Sequence, residues 1–598
     1  MCGIIGYVGE HSAGSIVTQG LSNLDYRGYD SAGVALVDSE VVIDKRSGEV
    51  SNLEVPDSDA TTGIGHTRWS THGPPTDINA HPHTDCTGEI AVVHNGIIEN
   101  YDVLKSKLSS HTFESDTDTE VIPHLLEAEL KSDTSLREAV QAVVAQLEGS
   151  YAICVSVKSR DEIVVARDGS PLVVGYGDGE NFVGSDVTAF LEHTQTVTYL
   201  EDGDVARVDD GDIEVWNGNQ KVERDVERVE WEAEAAEKGG YEHFMRKEIH
   251  EQPTALRQTL SGRIDISAAT ADLDLEFEEA FLESIEEIQF VACGTSYYAA
   301  LYAAELLERF GDVRTSVTIA SEYRFGGGRD PYCTLTVAVT QSGETADTLR
   351  AIRRAEAAGA RTMAVTNTLG STVTREVDET LFIRAGPEIG VAATKTFASQ
   401  VTTLALFSVF LGRARGGISA AKARDVLEDL QRVPGAIQQA LDCEREVIDA
   451  AEKYEDSRSF FFVGRSLGVP VALEGALKLK EISYAHAEGF AAGELKHGPL
   501  ALVTPETPVL GVLTEGANPA ETMNNVTEAQ TRGADALGCV SSDTRFRTLD
   551  VSFSVPDVGV AEPLVANVYL QLFAYHVANL QDRPIDKPRN LAKSVTVE

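Results

Sequence analysis

The 598-residue chain is long enough for about four compact units, and hydrophobic residues make up 42% of it, ample for several buried cores. Its 50 lysines and arginines face 95 aspartates and glutamates, and the net charge of −45 excludes nucleic acid and anionic membrane as natural partners. The apolar share also excludes a disordered acidic chain.

Only 16 of the cationic residues are lysines. An acidic, lysine-poor surface suits high salt, where the Debye length falls to ~3 Å and self-repulsion is screened, so a halophilic protein is expected. The longest apolar run lies near Leu404 to Leu411, far short of the ~18 residues of a spanning helix. No basic stretch followed by an apolar one opens the chain. Cys2, Cys86, Cys154, Cys293, Cys333, Cys443 and Cys539 are odd in number and never at CxxC spacing. That pattern predicts reduced thiols in a cytoplasmic protein rather than a disulfide or zinc framework.

Residues 1–220 read as short apolar strands, such as Ile90 to Val93, Ala152 to Val157 and Ile163 to Ala166, with helical stretches at Thr119 to Lys131 and Leu136 to Gln146. They predict a layered α+β domain. Met1-Cys2-Gly3 opens it, and removal of Met1 would leave Cys2 with an α-amino group of pKa near 8, a base beside its own thiol. Polar clusters follow at strand ends: Tyr26 to Gly33, His66-Thr67-Arg68-Trp69, Thr71-His72-Gly73, His94-Asn95-Gly96 and Asp116 to Glu120. Together they resemble the N-terminal-nucleophile glutamine amidotransferase domain, an αββα fold. The resemblance implies that Cys2 attacks the glutamine amide. Asn95 and the N–H of Gly96 would hold the oxyanion, donors worth ~3 kcal/mol each. Arg68 would take the α-carboxylate and Asp118 the α-ammonium, with Trp69, Thr71 and His72 completing the glutamine site. His66, His72, His81, His83 and His94 are dense but have no carboxylate or cysteine at ligand spacing, so no metal is expected.

Residues 221–245, rich in charge, Ala and Gly, are expected to be a linker. After them, continuous apolar strands alternate with longer helical patterns, the texture of buried parallel sheets. Ile288 to Ala292 leads into Cys293-Gly294-Thr295-Ser296, and Phe460 to Val463 into Gly464-Arg465-Ser466, each followed by a helix. This weak repeat predicts two doubly wound domains, at 280–425 and 450–580. Thr340-Gln341-Ser342-Gly343-Glu344-Thr345, between a strand and the helix from Ala346 to Ala358, has the phosphate-binding design of a loop opening into a helix N-terminus. On the helix around Val471 to Glu481, Glu474, Lys478 and Glu481 fall at i, i+4 and i+7, a charged stripe on an otherwise apolar helix.

These loops in paired domains resemble sugar isomerase domains. With the final Leu591-Ala592-Lys593-Ser594-Val595-Thr596-Val597-Glu598, the whole chain resembles the glutamine–fructose-6-phosphate aminotransferase (isomerizing) family, also called glucosamine-6-phosphate synthases. That resemblance implies conversion of fructose 6-phosphate and glutamine to glucosamine 6-phosphate and glutamate, the first step of hexosamine synthesis. Ammonia would be channelled between the sites, no cofactor used, and a homodimer formed. Cys293, Gly294, Thr295, Ser296, Thr340, Gln341, Ser342 and Thr345 would hold the phosphosugar, lined also by Glu388, Val391 and Ala392. Glu481 would move the proton between C1 and C2, tuned by Glu474 and Lys478. His497 would assist ring opening, from the neighbouring subunit. Lys593 would form a Schiff base with the ketose while the tail, 581–598, closes over it. Thr340 and Ala393 stand where the family commonly has serine. A diphosphate loop or an ATP loop, which would mark other amidotransferases, is missing from the sequence.

Overall fold

A computed structural model describes residues 2–28, 30–55, 58–68, 73–130, 134–229, 238–326 and 328–596. The chain divides into two units, Met1–Glu237 with Ala592–Glu598, and Lys238–Leu591.

In the first unit, strands of alternating side chains form two antiparallel sheets. Eight strands lie in the order Glu227–Arg228, Thr196–Tyr199, Val173–Tyr176, Glu180–Gly184, Gly3–Gly9, Thr62–Arg68, Ser31–Val37 and Val41–Ser47. Seven lie in the order Gln220–Val222, Ile213–Asn217, Asp204–Val208, Ile163–Asp168, Gly149–Val157, Ile90–Ile98 and His83–Thr84. Period-2 alternation gives each sheet two apolar faces. Ile4, Val8 and Ile64 of one pack on Val93, Cys154 and Val165 of the other. The outer faces bury helix Ala13–Asn23 on one side, and helices Val121–Glu129 and Leu136–Val144 on the other. The result is four layers, αββα. Ser135 starts the last of these helices with a capping box to Glu138, which satisfies two otherwise orphaned N–H groups. Helix Val121–Glu129 begins later than the predicted Thr119, because Glu120 turns its carboxylate back onto the N–H groups of Glu114 and Ser115.

The expected linker is partly sheet. Gln220–Val222 pairs with Ile213–Asn217, and Glu227–Arg228 with Thr196–Tyr199. Alternating valine and charge reads as a solvated tether in one dimension, but an edge strand carries charged side chains as readily.

The second unit holds two five-stranded parallel sheets. The first runs Arg314–Ile319, Glu287–Ala292, Thr334–Val339, Arg361–Thr366, Glu379–Phe382, and the second His486–Ala491, Ser459–Gly464, Val509–Leu513, Ala536–Ser541, Val551–Val555. Numbered along the chain, both have the order 2-1-3-4-5, so each reverses direction between its first and third strands, where ligands bind in such folds. Helices Gly294–Phe310, Lys395–Arg415, Gly468–Ser483 and Glu562–Leu580 share one apolar core with both sheets. Lys395–Arg415 is long and apolar enough to cross a membrane, but here it is buried in that core on nearly every side. Gly416, at φ 73°, ends it in the left-handed conformation that glycine adopts without strain.

Candidate active sites

The residues expected to handle glutamine meet where strands from the two antiparallel sheets end. Cys2 precedes strand Gly3–Gly9, and its carbonyl accepts from Asn95 Nδ2 at 3.1 Å and from Arg27 Nε at 3.1 Å. Asn95 Nδ2 also donates to Ser185 Oγ at 2.8 Å, and that same hydroxyl oxygen accepts from the N–H of Ile4 at 2.8 Å. His66 Nε2 lies 3.0 Å from the carbonyl of His94 and 3.1 Å from Asn95 Oδ1. Burial pushes His66 down to about 3, so the ring is neutral near pH 7. Both neighbours of Nε2 are acceptors, which assigns its hydrogen and turns the Asn95 NH₂ toward Cys2. The buried rings of His66 and His81 stack at 4.2 Å, and burial lowers His81 and His83 as well. His83 meets Thr117, and His94 meets Thr119. His66, His81 and His83 therefore pack as neutral rings, and His81 Nδ1 accepts from the His94 N–H at 3.4 Å.

Gly96 has φ 126°, and a Cβ there would stand 2.0 Å from the Ser150 carbonyl oxygen, so only glycine fits beside Asn95. Asp118 is buried, with Oδ2 accepting from the Ile98 N–H at 2.7 Å. Arg68, at the end of strand Thr62–Arg68, is buried too, and one guanidinium nitrogen donates to Gly73 O at 3.4 Å. Burial pushes Arg68 below its ordinary value, while the nearby charges of Cys2, Asp118 and Asp30 act the other way. Trp69, Thr71 and His72 lie outside the described residues.

In the second unit the expected helical stripe becomes a largely buried ionic cluster. Helix Gly468–Ser483 places Lys478 Nζ 2.7 Å from Glu481 Oε2 and 3.5 Å from Glu474 Oε1. Thr295, in the first turn of helix Gly294–Phe310, joins them: its hydroxyl accepts from Lys478 Nζ at 3.1 Å and donates to Glu474 Oε1 at 3.2 Å. Glu474 and Lys478 are fully buried and Glu481 is partly open. Desolvation pushes Glu474 up to about 7 despite the neighbouring ammonium. The carboxylates of Glu474, Glu481 and Glu388 outweigh burial at Lys478 and keep it cationic, above its ordinary value. One ammonium shared by two carboxylates leaves the more buried one poorly neutralised.

Beside this cluster, Thr340 Oγ1 accepts from the N–H of Gly343 at 3.2 Å, and Ser342 Oγ from that of Glu344 at 3.2 Å. Gly343 has φ 71°, and a Cβ there would strike Ser371 Oγ at 2.1 Å. The carbonyl of Gln341 accepts from the Asn367 N–H at 3.1 Å. The side chains of Thr345 and Cys293 do not cap the helices they begin, Ala346–Ala357 and Gly294–Phe310, so those first-turn N–H groups face the loops. Gly294 is exposed, and Ser296 Oγ accepts from Gln400 at 2.9 Å. Glu388 Oε1 accepts from the N–H groups of Thr394 and Thr396 at 2.8 and 3.1 Å, shaping the turn that carries Val391 and buried Ala392.

His497 is exposed at the end of a short 3₁₀ turn, and half-buried Lys593 belongs to the segment grouped with the first unit. Sequence reasoning missed Arg27, His66, Ser185 and Asp586 as positioning residues. Asp586 accepts from the N–H groups of Phe244 and Met245, and its carbonyl from that of Val391. Each acts across a long chain separation, for which no local pattern exists.

A family pattern described as a glutamine amidotransferase domain matches residues 66–192, and the SIS domain pattern matches 281–409 and 453–578. The glutamine–fructose-6-phosphate aminotransferase (isomerizing) of Halobacterium salinarum is 59% identical over all of both chains, and that of Thermus thermophilus 46%, also over all of both. The halobacterial relative fits the high-salt character expected from the charge. A solved C-terminal domain of glucosamine-fructose-6-phosphate aminotransferase from Francisella tularensis is 35% identical, with a TM-score of 0.56 over 59% of this chain and 99% of that one.

Proposed function

This chain belongs to the glutamine–fructose-6-phosphate aminotransferase (isomerizing) family, and on that premise we propose that it makes glucosamine 6-phosphate and glutamate from fructose 6-phosphate and glutamine. The observation that carries the reading is the buried Glu474–Lys478–Glu481 cluster bridged by Thr295, because a carboxylate poised in a dry site is what proton transfer along a sugar requires.

The thiolate of Cys2, with its α-amino group as base once Met1 is removed, attacks the glutamine amide. Ammonia leaves, and water then frees glutamate from the thioester. Arg68 and Asp118 hold the two ends of the amino acid, and Trp69, Thr71 and His72 enclose it. The Asn95 NH₂ exchanges the Cys2 carbonyl for the developing oxyanion, together with the Gly96 N–H.

Thr340, Gln341, Ser342 and Thr345, with Cys293 to Ser296, bind the phosphosugar. Lys593 condenses with the C2 carbonyl of the open-chain ketose and loses water, and ammonia then displaces the lysine. Glu481 carries a proton from C1 to C2, while the C1 hydroxyl gives up its proton and the imine nitrogen gains one, which turns the 2-imine into the 2-amino aldose. Glu474 and Lys478 set the charge of that carboxylate. Glu388, Val391 and Ala392 line the sugar, and His497 acts from a second copy in a homodimer. Neutral ammonia must be kept from water, so sugar-phosphate binding and tail closure accelerate the glutaminase step.

The test is a coupled assay in concentrated salt with both substrates. Equimolar glutamate and glucosamine 6-phosphate are expected, and Cys2→Ala should lose glutamine use while interconverting fructose and glucose 6-phosphates. Glutamate production without amino sugar, at a rate indifferent to fructose 6-phosphate, would refute the reading.

A further inference from the structure

Three segments of the first unit bring four metal-ligand side chains to one point. Cys86 lies in the turn between strands His83–Thr84 and Ile90–Ile98, His111 in the loop after helix Tyr101–Lys107, and His124 and Glu127 on helix Val121–Glu129. Cys86 Sγ, one ring nitrogen from each histidine and one Glu127 oxygen lie within 4.8 Å of one another. Cys86 Sγ is 3.7 Å from His111 Nδ1 and 3.6 Å from His124 Nδ1, and Glu127 Oε2 is 3.1 Å and 3.7 Å from the same two nitrogens. Ligands bound at about 2.0–2.3 Å around a tetrahedral centre stand roughly 3.3–3.6 Å apart, so these spacings need almost no rearrangement.

The surroundings favour a site over a chance polar cluster. Both rings turn Nδ1 toward the thiol. The far nitrogen of His124, Nε2, is 3.9 Å from Glu120 Oε1, and Glu120 is itself held by the N–H groups of Glu114 and Ser115. At that distance the carboxylate stands behind the ring without a hydrogen bond to it, near enough to become the outer partner of a ligating imidazole. His124 is buried and Cys86 exposed, so the cluster is anchored from inside and open from outside. A cavity lined by Asp85, Cys86, Glu120 and His124 among others leads to it.

We propose that Cys86, His111, His124 and Glu127 bind one zinc-class divalent ion, separate from the glutaminase and sugar residues. A thiolate, two imidazoles and a carboxylate suit zinc, whereas the sulfur and nitrogen donors disfavour magnesium and calcium. Binding releases the Cys86 thiol proton to solvent. Four protein ligands close the coordination sphere, so the ion is structural. It staples the Asp85-to-Gly88 turn and the His111 loop to helix Val121–Glu129, and through Glu120 steadies the segment bearing Asp118. Cys86 and His124 are 38 residues apart, so no spacing motif announces the set.

The test loads the full-length, chelator-treated protein with cobalt(II) in concentrated salt. Saturation at one equivalent, tetrahedral visible bands, a thiolate-to-cobalt charge-transfer band and displacement by zinc are expected, with a higher unfolding midpoint. Cys86→Ser should abolish the charge-transfer band, and His111→Ala, in the loop after helix Tyr101–Lys107, should weaken cobalt binding at least tenfold. Unsaturable, octahedral cobalt spread over the acidic surface would overturn the proposal, as would an unchanged thiolate band in Cys86→Ser.

Discussion

The two parallel sheets of the second unit share one strand order and yet contribute unequally. In the first copy, the first turn of the helix after the first strand delivers the Thr295 hydroxyl to Glu474 and Lys478. In the second copy, the matching loop is spent on structure. Ser466 donates to Glu305 at 2.7 Å and meets Arg309, while Arg465 donates to Asn525 at 3.0 Å. The second copy supplies chemistry from its helix instead, through Glu474, Lys478 and Glu481. A repeated scaffold thus brings both copies to one cluster: on the proposed reading, one copy presents hydroxyls and helix N-termini for an anion, the other a charged stripe for proton transfer.

The comparison breaks most sharply at Lys478. Lys478→Met leaves buried carboxylates without their cation, which should cost about 3–5 kcal/mol of stability and abolish sugar amination. Denaturant unfolding in high salt, run beside the coupled assay, reads both. Arg465→Met, in the loop just ahead of the same helix, should change stability by no more than about 1 kcal/mol and leave turnover intact; equal damage from both would erase the division between structural loop and chemical helix. Glu481→Gln keeps the shape and removes the base, so kcat for isomerisation should fall roughly 10²–10⁴-fold with little change in KM. A KM effect alone would reassign Glu481 to binding.

A gentler division separates the loops. Thr345→Ala should raise KM for fructose 6-phosphate about tenfold, since a hydrogen bond to a charged group contributes about 1.5–3 kcal/mol. Ser466→Ala, which loses only the contacts to Glu305 and Arg309, should leave that KM unmoved. Another effect concerns pH. With Glu474 pushed up to about 7 from 4.5, the native chain binds more protons than the unfolded chain between those values. Its contribution to stability therefore falls as pH rises from about 4.5 to 7. Glu474→Gln should flatten that part of the stability profile, and an unaltered slope would place the titration elsewhere.

What the sequence determined by itself are the features with a local period or punctuation. Helical spacing alone puts Glu474, Lys478 and Glu481 on one face. An apolar strand running into Thr340-Gln341-Ser342-Gly343 marks an anion loop, and alternation over the first 220 residues already implies layered sheets. The tertiary structure alone decided that Thr295 crosses from one repeat to the stripe of the other, that neutral His66 and Ser185 orient Asn95, and that Cys86 meets His111 and His124. Backbone geometry repeats over two to four residues and leaves its trace in the sequence; contacts closed by packing across tens to hundreds of residues have no such period to leave.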